Sequence, residues 1–316
     1  MQSTSDRRSA DAPRILCLGQ AVQDFVFELE HIPRSAEKYQ ARAFDLVGGG
    51  PAATAAVAIG RLGGNASLAA RVGGDAVGRI IMEELADCGV DCSTMSVTEG
   101  CRSSASAVIT GDDGERLIVN FLDPDLPQAL PAAVLAALQK ADAVLTDTRW
   151  PAAARELLGA ARALGIPAIL DADIPVPADP AFLAAATHVA FSAGGLRQFA
   201  GDENLPRSLR EAARSTGAWC CVTDGAAGVL FYADEEVQQV PGFQVPVADT
   251  LGAGDVWHGA FAFQLGRGRH ELEAVRFANA AAALKVRAGG GRAGAPGRGE
   301  VEAFLAKPEN RSGASL

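Results

Sequence analysis

The sequence lacks the marks of membrane, secreted and nucleic-acid-binding chains. No apolar run approaches the roughly 20 residues that a bilayer-spanning helix needs. The first thirteen residues, MQSTSDRRSADAP, contain no apolar core of the kind a signal peptide requires. These two lacks predict a cytoplasmic chain with a disordered tail at 1–13. The six cysteines, Cys17, Cys88, Cys92, Cys101, Cys220 and Cys221, form no CxxC pair. That excludes a zinc cage or a disulfide framework as the organising device. Positive charge is in short supply: 28 Lys and Arg stand against 38 Asp and Glu, for a net charge of −10. Such a balance argues against binding nucleic acid through its phosphates. No GxGxxG follows the first predicted strand, which excludes a dinucleotide dehydrogenase, and no internal repeat is visible.

Glycine, by contrast, is abundant at 35, and it clusters at 48–50, 63–64, 73–78, 225–228, 252–254 and 289–299. Clustered glycine between apolar segments signals tight turns or backbone that approaches a ligand. RILCLG, 14–19, reads as a buried strand, followed by a loop-rich segment and then a strand over 37–47 that Gly48–Gly50 stop. PAATAAVAIGRLG, 51–63, reads as a helix with proline in its first turn. NASLAARVG tends to strand, and 75–89 is an amphipathic helix ending at a glycine. RSSASAVIT, GDDG and ERLIVNF over 102–122 form a hairpin signature. We pair it with 37–47 as a small accessory sheet. From 131 onward helices and strands alternate: helix 131–140, AVLTD, helix 151–164, AILDAD, helix 180–187, HVAFS, helix 206–216, WCCVTDG and its partner GVLFYA. Two helices, about 255–266 and 271–287, follow. This rhythm predicts a doubly wound, mostly parallel α/β sheet with helices on both faces.

The strongest chemical signal is DTLGAGD, 249–255, running into the apolar helix VWHGAFAFQL. Gly252, Ala253 and Gly254 leave the backbone accessible. Their N–H groups, with that of Asp255, can converge on an anion at a helix N-terminus. Asp255 is placed to take a proton from an attacking hydroxyl, and the helix terminus is expected to keep it ionised. Phosphoryl transfer needs both parts. His258, three residues on, is expected in the core or behind the site. Trp257 faces either the helix interior or a nucleotide edge.

DTLGAGD resembles the DTxGAGD signature of the ribokinase-like (pfkB) carbohydrate kinases, and the resemblance spans about 14–305. VGGGPAATAAVAIGRLG is similar to that family's diglycine hinge and first helix, and VTDGAAG, 222–228, to its VTxGxxG turn. The resemblance implies a ribokinase-like fold with a small β-sheet lid over 37–47 and 102–122, and a C-terminal tail at 306–316. It implies Asp255 as general base and Gly252, Ala253 and Gly254 as anion hole. Asp24 and Gly49 would line the sugar site, and Thr223, Gly225, Gly228 and Asn279 the nucleotide. ATP with Mg2+ would be the phosphoryl donor.

GGGPAATAAVA, GERLIVN, TDTRW, FANAAAALK and GGRAG further resemble the subgroup that phosphorylates O1 of 6-deoxy-6-sulfofructose. That likeness assigns Lys38, Asn120 and Arg149 to the sulfonate. Fructose, tagatose 6-phosphate and ribose are the alternative acceptors, and a non-catalytic sugar- or nucleotide-binding protein is the alternative class. Two positions depart from the family pattern. The family's NxxE acid is missing from Ser192–Gly195, so Mg2+ would rest on ATP, water and other carboxylates such as Asp171 or Asp173. Thr54 stands where the family carries asparagine. The 289–299 segment reads as a flexible tail or a backbone cage for a monovalent cation. A homodimer through the lid is expected, because so small a sheet is rarely stable alone.

Overall fold

The computed structural model describes residues 12–112 and 115–311. Its main sheet has eight strands in the order β14-β13-β12-β11-β10-β9-β1-β4. These are β1 (Arg14–Leu18), β4 (Asn65–Ala69), β9 (Ala143–Thr146), β10 (Ala168–Ala172), β11 (His188–Ser192), β12 (Trp219–Thr223), β13 (Val229–Ala233) and β14 (Glu236–Val240). The first six pair in parallel, and β13 and β14 add an antiparallel edge.

Alternate residues of one strand feed two separate cores. Ile15 and Cys17 of β1 enter one, and Leu16 and Leu18 the other. A strand apolar on both faces belongs in the middle of a sheet covered on both sides. One face is covered by α1 (Pro51–Arg61), α2 (Ala76–Asp87), α8 (Ala253–Gly266), α9 (Glu271–Ala288) and α10 (Arg298–Ala306). The other carries α3 (Ala132–Leu138), α4 (Pro151–Ala163), α5 (Pro180–Leu183), α6 (Ala193–Ala200) and α7 (Leu205–Thr216). Helix α8 is buried over most of its length, from Val256 to Leu265. At its crossing with α1 a Cβ on Gly259 would meet the Ala55 carbonyl, so glycine and the alanines of α1 permit the close approach.

A second, four-stranded sheet runs β3-β2-β7-β8. Its strands are β2 (Val22–Glu28), β3 (Ala43–Gly49), β7 (Ala105–Thr110) and β8 (Arg116–Phe121). β2 pairs antiparallel with β3 and parallel with β7, and β7 with β8 antiparallel. This corrects the expected composition of the accessory sheet in two ways. The segment read as loop-rich holds one of its two inner strands, β2. Residues 37–42 are not strand, so Lys38 sits in an exposed loop and not on the sheet. The reason is local. The Ser35 hydroxyl bonds Glu37 Oε1 at 2.6 Å and Tyr39 Oη at 2.8 Å, closing a side-chain turn that competes with the ladder.

Smaller differences lie elsewhere. NASLAARVG divides into β4 and a short β5 (Arg71–Gly73), which pairs with β6 (Ser96–Thr98). The expected helices 131–140 and 180–187 are shorter, at 132–138 and 180–183. Of the tail expected at 1–13, residues 1–11 lie outside the described residues. Pro13 is buried, and its carbonyl accepts from Asn65 N at 2.8 Å. Nor is the chain from 306 a bare tail. α11 (Pro308–Arg311) follows α10, and the Asn310 carbonyl accepts from Arg276 Nη2 at 2.6 Å. Residues 312–316, and 113–114 of the GDDG turn, lie outside the description. Among the described residues no helix is long and apolar enough to cross a membrane, and all six cysteines are free.

Candidate active site

The 250–255 loop supplies walls to two cavities. The larger, about 490 Å³, is bounded by Thr223, Gly225 and Gly228 at the β12–β13 turn, by Ala253 and Gly254, and by Trp257 and Asn279. The smaller, about 90 Å³, is bounded by Asp24, Gly49, Thr54, Gly252, Asp255 and Arg292, among others. Neighbours in one turn, Gly254 and Asp255, therefore face different chambers.

Gly252 caps α8 in the left-handed region, at φ 74°. Ala253 N donates to Thr250 O at 3.2 Å, and Val256 N to Gly252 O at 3.0 Å. The Ala253 N–H is therefore spent within the turn, which narrows the expected anion hole. The N–H groups of Gly252, Gly254 and Asp255 take no backbone carbonyl among the described residues, and they are the ones left for an anion.

Asp255 does not behave as its helix position alone would dictate. Burial, with the Asp171 carboxyl close by, pushes it up to about 7 against the opposing pull of His258. Desolvation and a like charge here outweigh the helix dipole. Behind it, Asp171 is buried and raised well above the ordinary carboxylate range, first by desolvation and then by Asp173 and Asp147. His258 is buried, with Nδ1 2.8 Å from Gly254 O, Nε2 3.3 Å from Ala190 O, and Asp171 Oδ2 3.4 Å from Nδ1. It thus backs the turn, as expected for a residue behind the site.

Each other predicted residue has a definite position. A Cβ on Gly49 would overlap the Asp24 carboxylate, so glycine there lets Asp24 stand in the smaller cavity. Burial raises the Asp24 pKa, while a bond from Ser106 and the charge of Arg292 oppose that rise. The single Ser106 hydroxyl proton has a second acceptor within reach, Asn120 Oδ1 at 2.8 Å. Asp24, Ser106 and Asn120 are register partners across β2, β7 and β8, and therefore share one face of the sheet. Thr223 Oγ1 is held on Phe191 O at 3.3 Å. Asn279 accepts from Trp257 Nε1 at 2.8 Å and donates to Pro241 O at 3.2 Å. Trp257 is thus both in the helix interior and on the wall of the larger cavity.

Lys38, Asn120 and Arg149 line neither of these two cavities. Arg149 follows β9, 3.5 Å from Asp173, whose other oxygen accepts from Ser192 Oγ at 2.7 Å. Among the described residues no group of three or more His, Cys, Asp or Glu could hold a metal.

Sequence reading missed Asp147, and it missed Arg292 as a wall of the smaller cavity. Asp147 accepts from Gln20 N, Ala52 N and Arg149 N at 2.8, 3.2 and 2.8 Å, joining the segments that follow β1 and β9 to the first turn of α1. Arg292, only 3% exposed, reaches the Glu84 carboxylate at 2.7 Å and borders Gly48. A lone arginine among four glycines in 289–294 was the available signal for it. Its burial also rules out the flexible-tail reading of that segment.

A sequence model of the pfkB family of carbohydrate kinases matches residues 12–298. The chain is 31% identical to a ribokinase of Bacillus subtilis over 294 residues, covering 92% of this chain and 99% of the relative. A solved structure from Agrobacterium tumefaciens, assigned as a ribokinase, superposes with a TM-score of 0.87 at 38% identity, covering 93% and 97% of the two chains. The Arabidopsis thaliana ribokinase solved with ribose and ATP shares the fold, with a TM-score of 0.84 at 24% identity over 94% and 99%.

Proposed function

The chain belongs to the pfkB family of carbohydrate kinases, enzymes that transfer a phosphoryl group to a sugar hydroxyl, and from that premise we propose its donor, its site residues and its acceptor. ATP is the donor and occupies the larger cavity. Val229, Phe243, Val245 and Val286 offer an apolar wall to the base, and the Gly225–Gly228 turn leaves room for phosphates. Mg2+ would be carried by the phosphate oxygens and water, with Asp173 the carboxylate open enough to approach it. When bound, it neutralises phosphate charge.

The sugar occupies the smaller cavity, with Asp24 binding its hydroxyls. Asp255, as carboxylate, takes the proton as the sugar oxygen bonds to the γ-phosphorus and the bond to the ADP oxygen breaks. Gly254 and Asp255 N–H groups steady the charge on the transferring group. Closure of the four-stranded sheet over the acceptor would keep water from competing.

For the acceptor, we favour O1 of 6-deoxy-6-sulfofructose. The observation that carries this reading is the polar row Asp24, Ser106, Asn120 leading away from Asp255 along one sheet face. It spans two strand spacings, about 10 Å, and suits a ligand with its acceptor end at Asp255 and an anion-accepting far end. Arg149 and Lys38 are the cations that the family likeness assigns to that far end, although neither lines the two cavities. Ribose is the second reading, favoured by the identity to the Bacillus subtilis ribokinase. An ADP-coupled assay over 6-deoxy-6-sulfofructose, fructose, ribose and tagatose 6-phosphate decides between them. The expected result is highest kcat/KM on the sulfonated sugar. A preference for ribose, fructose or the sugar phosphate removes the sulfonate assignment, and no turnover on any sugar would favour a binding protein.

A further inference from the structure

Lys285, in α9, is the only fully buried lysine among the described residues, at 0% exposure. Its Nζ lies 3.1 Å from both the carbonyl oxygen and Oδ2 of Asp249, the first residue of the DTLGAGD string. The Asp249 carboxylate also accepts from Leu251 N at 2.8 Å, Gly291 N at 3.3 Å and Arg116 of β8 at 2.5 Å. Burial alone would raise this carboxyl, but the Leu251 N–H and the Lys285 ammonium hold it at about 2. The backbone that leads into the anion hole is therefore pinned to a buried ammonium, whose pKa burial lowers while its bond to Asp249 opposes that fall.

This bears on the monovalent cation anticipated at 289–299. Such an ion needs carbonyl and carboxylate oxygens not already committed to a cation. Here the Asp249 carbonyl and carboxylate are both engaged by an ammonium. Gly291 presents a donor to the same carboxylate. The Arg292 guanidinium, from the same short turn, is buried against Glu84 and Gly49 O. A further cation on Asp249 would meet Lys285 and Arg116 there. These residues do not fit a resident monovalent ion.

We propose that the Lys285 ammonium is the cation beneath the 249–255 loop, so that this kinase needs no potassium, sodium or ammonium ion. A tethered ammonium is always at its site and loses no translational freedom on arrival. Lys285 is a positioning residue: it acts through Asp249 on the loop that holds Gly254 and Asp255.

The test is MgADP binding by calorimetry, with turnover on any accepted sugar measured alongside. Potassium or sodium replaces tetramethylammonium at constant ionic strength. Wild type should hold both quantities within about twofold across the three ions. Lys285→Met should bind MgADP about tenfold or more weakly in tetramethylammonium, and potassium or ammonium should restore binding saturably. A wild type activated several-fold by potassium, a variant equal to wild type, or a folded, impaired variant that no cation restores would each overturn the proposal. If Lys285→Met does not fold, the wild-type ion series decides alone. MgADP binding is independent of which sugar is the acceptor, so failure here is separable from failure of the sulfonate reading.

Discussion

Asp255 combines two opposed requirements. It must be a carboxylate to take a proton, yet burial and the carboxyl of Asp171 raise it to about 7. The base form is populated above that value and lost below it. We therefore expect kcat/KM to rise with pH through about 7 and level off above it, with MgADP affinity nearly constant. A pH–rate profile flat through neutrality would remove Asp255 as the titrating base. Arg149 tests the far end of the acceptor. Loss of a charged contact commonly costs about 2–5 kcal/mol, roughly 30- to 5,000-fold. Arg149→Met should lower kcat/KM for the sulfonated sugar on that scale and leave neutral sugars nearly unchanged. Equal damage to all sugars would show that Arg149 serves the scaffold through Asp173. At this scale, the DTLGAGD turn was legible because a short motif encodes local backbone geometry, whereas Asp24 and Gly49 were expected from the family resemblance alone. Arg292 was not, because its partner Glu84 is 208 residues away, and Asp147 was not, because its role is to bond backbone from three separated segments.

The Gly48–Gly50 exit from β3, proposed above as a hinge, can be tested at the level of elements. β3 ends at Gly49, and a methyl at position 48 would overlap the Arg292 guanidinium on its way to Glu84. Gly48→Ala should displace that ion pair and the floor of the smaller cavity. Its expected signature is a raised KM for sugar with MgADP affinity retained, at a stability cost of roughly 1–3 kcal/mol. Steady-state kinetics and thermal melts check both, and an unchanged sugar KM would separate the hinge from the sugar site. The β7–β8 hairpin and α1 were readable from turn residues and from proline-led, alanine-rich sequence. β2 was not. Its start sets two polar residues side by side, Gln23 and Asp24, which point to opposite faces and bond there, so the apolar alternation of a strand is broken.

For the whole molecule, the alternation of strands and helices made the parallel order and two-sided core legible, because βα crossovers confine the chain to few topologies. The β5–β6 pair, three residues each, was too short to announce itself. What the fold leaves open to solvent is informative too. Phe44, Leu46, Leu117, Val119 and Phe121 of the four-stranded sheet are each about half exposed. Phe44, Leu46, Leu117 and Val119 lie on the face opposite Asp24, Ser106 and Asn120 by strand register. An apolar face of this kind suits a second copy of the chain. Light scattering at micromolar concentration should report a dimer, and Val119→Asp should shift it to monomer; a wild-type monomer would contradict this.

The central claim is that Asp255, between two chambers that share one loop, is the base of a sugar kinase. Its most direct test is Asp255→Asn, which keeps the shape of the side chain and removes its basicity. Turnover measured with saturating MgATP and sugar should fall by about 10²–10⁴, while calorimetry finds MgADP bound within a few-fold of wild type. Turnover close to that of wild type, with the nucleotide bound as before, would contradict the account.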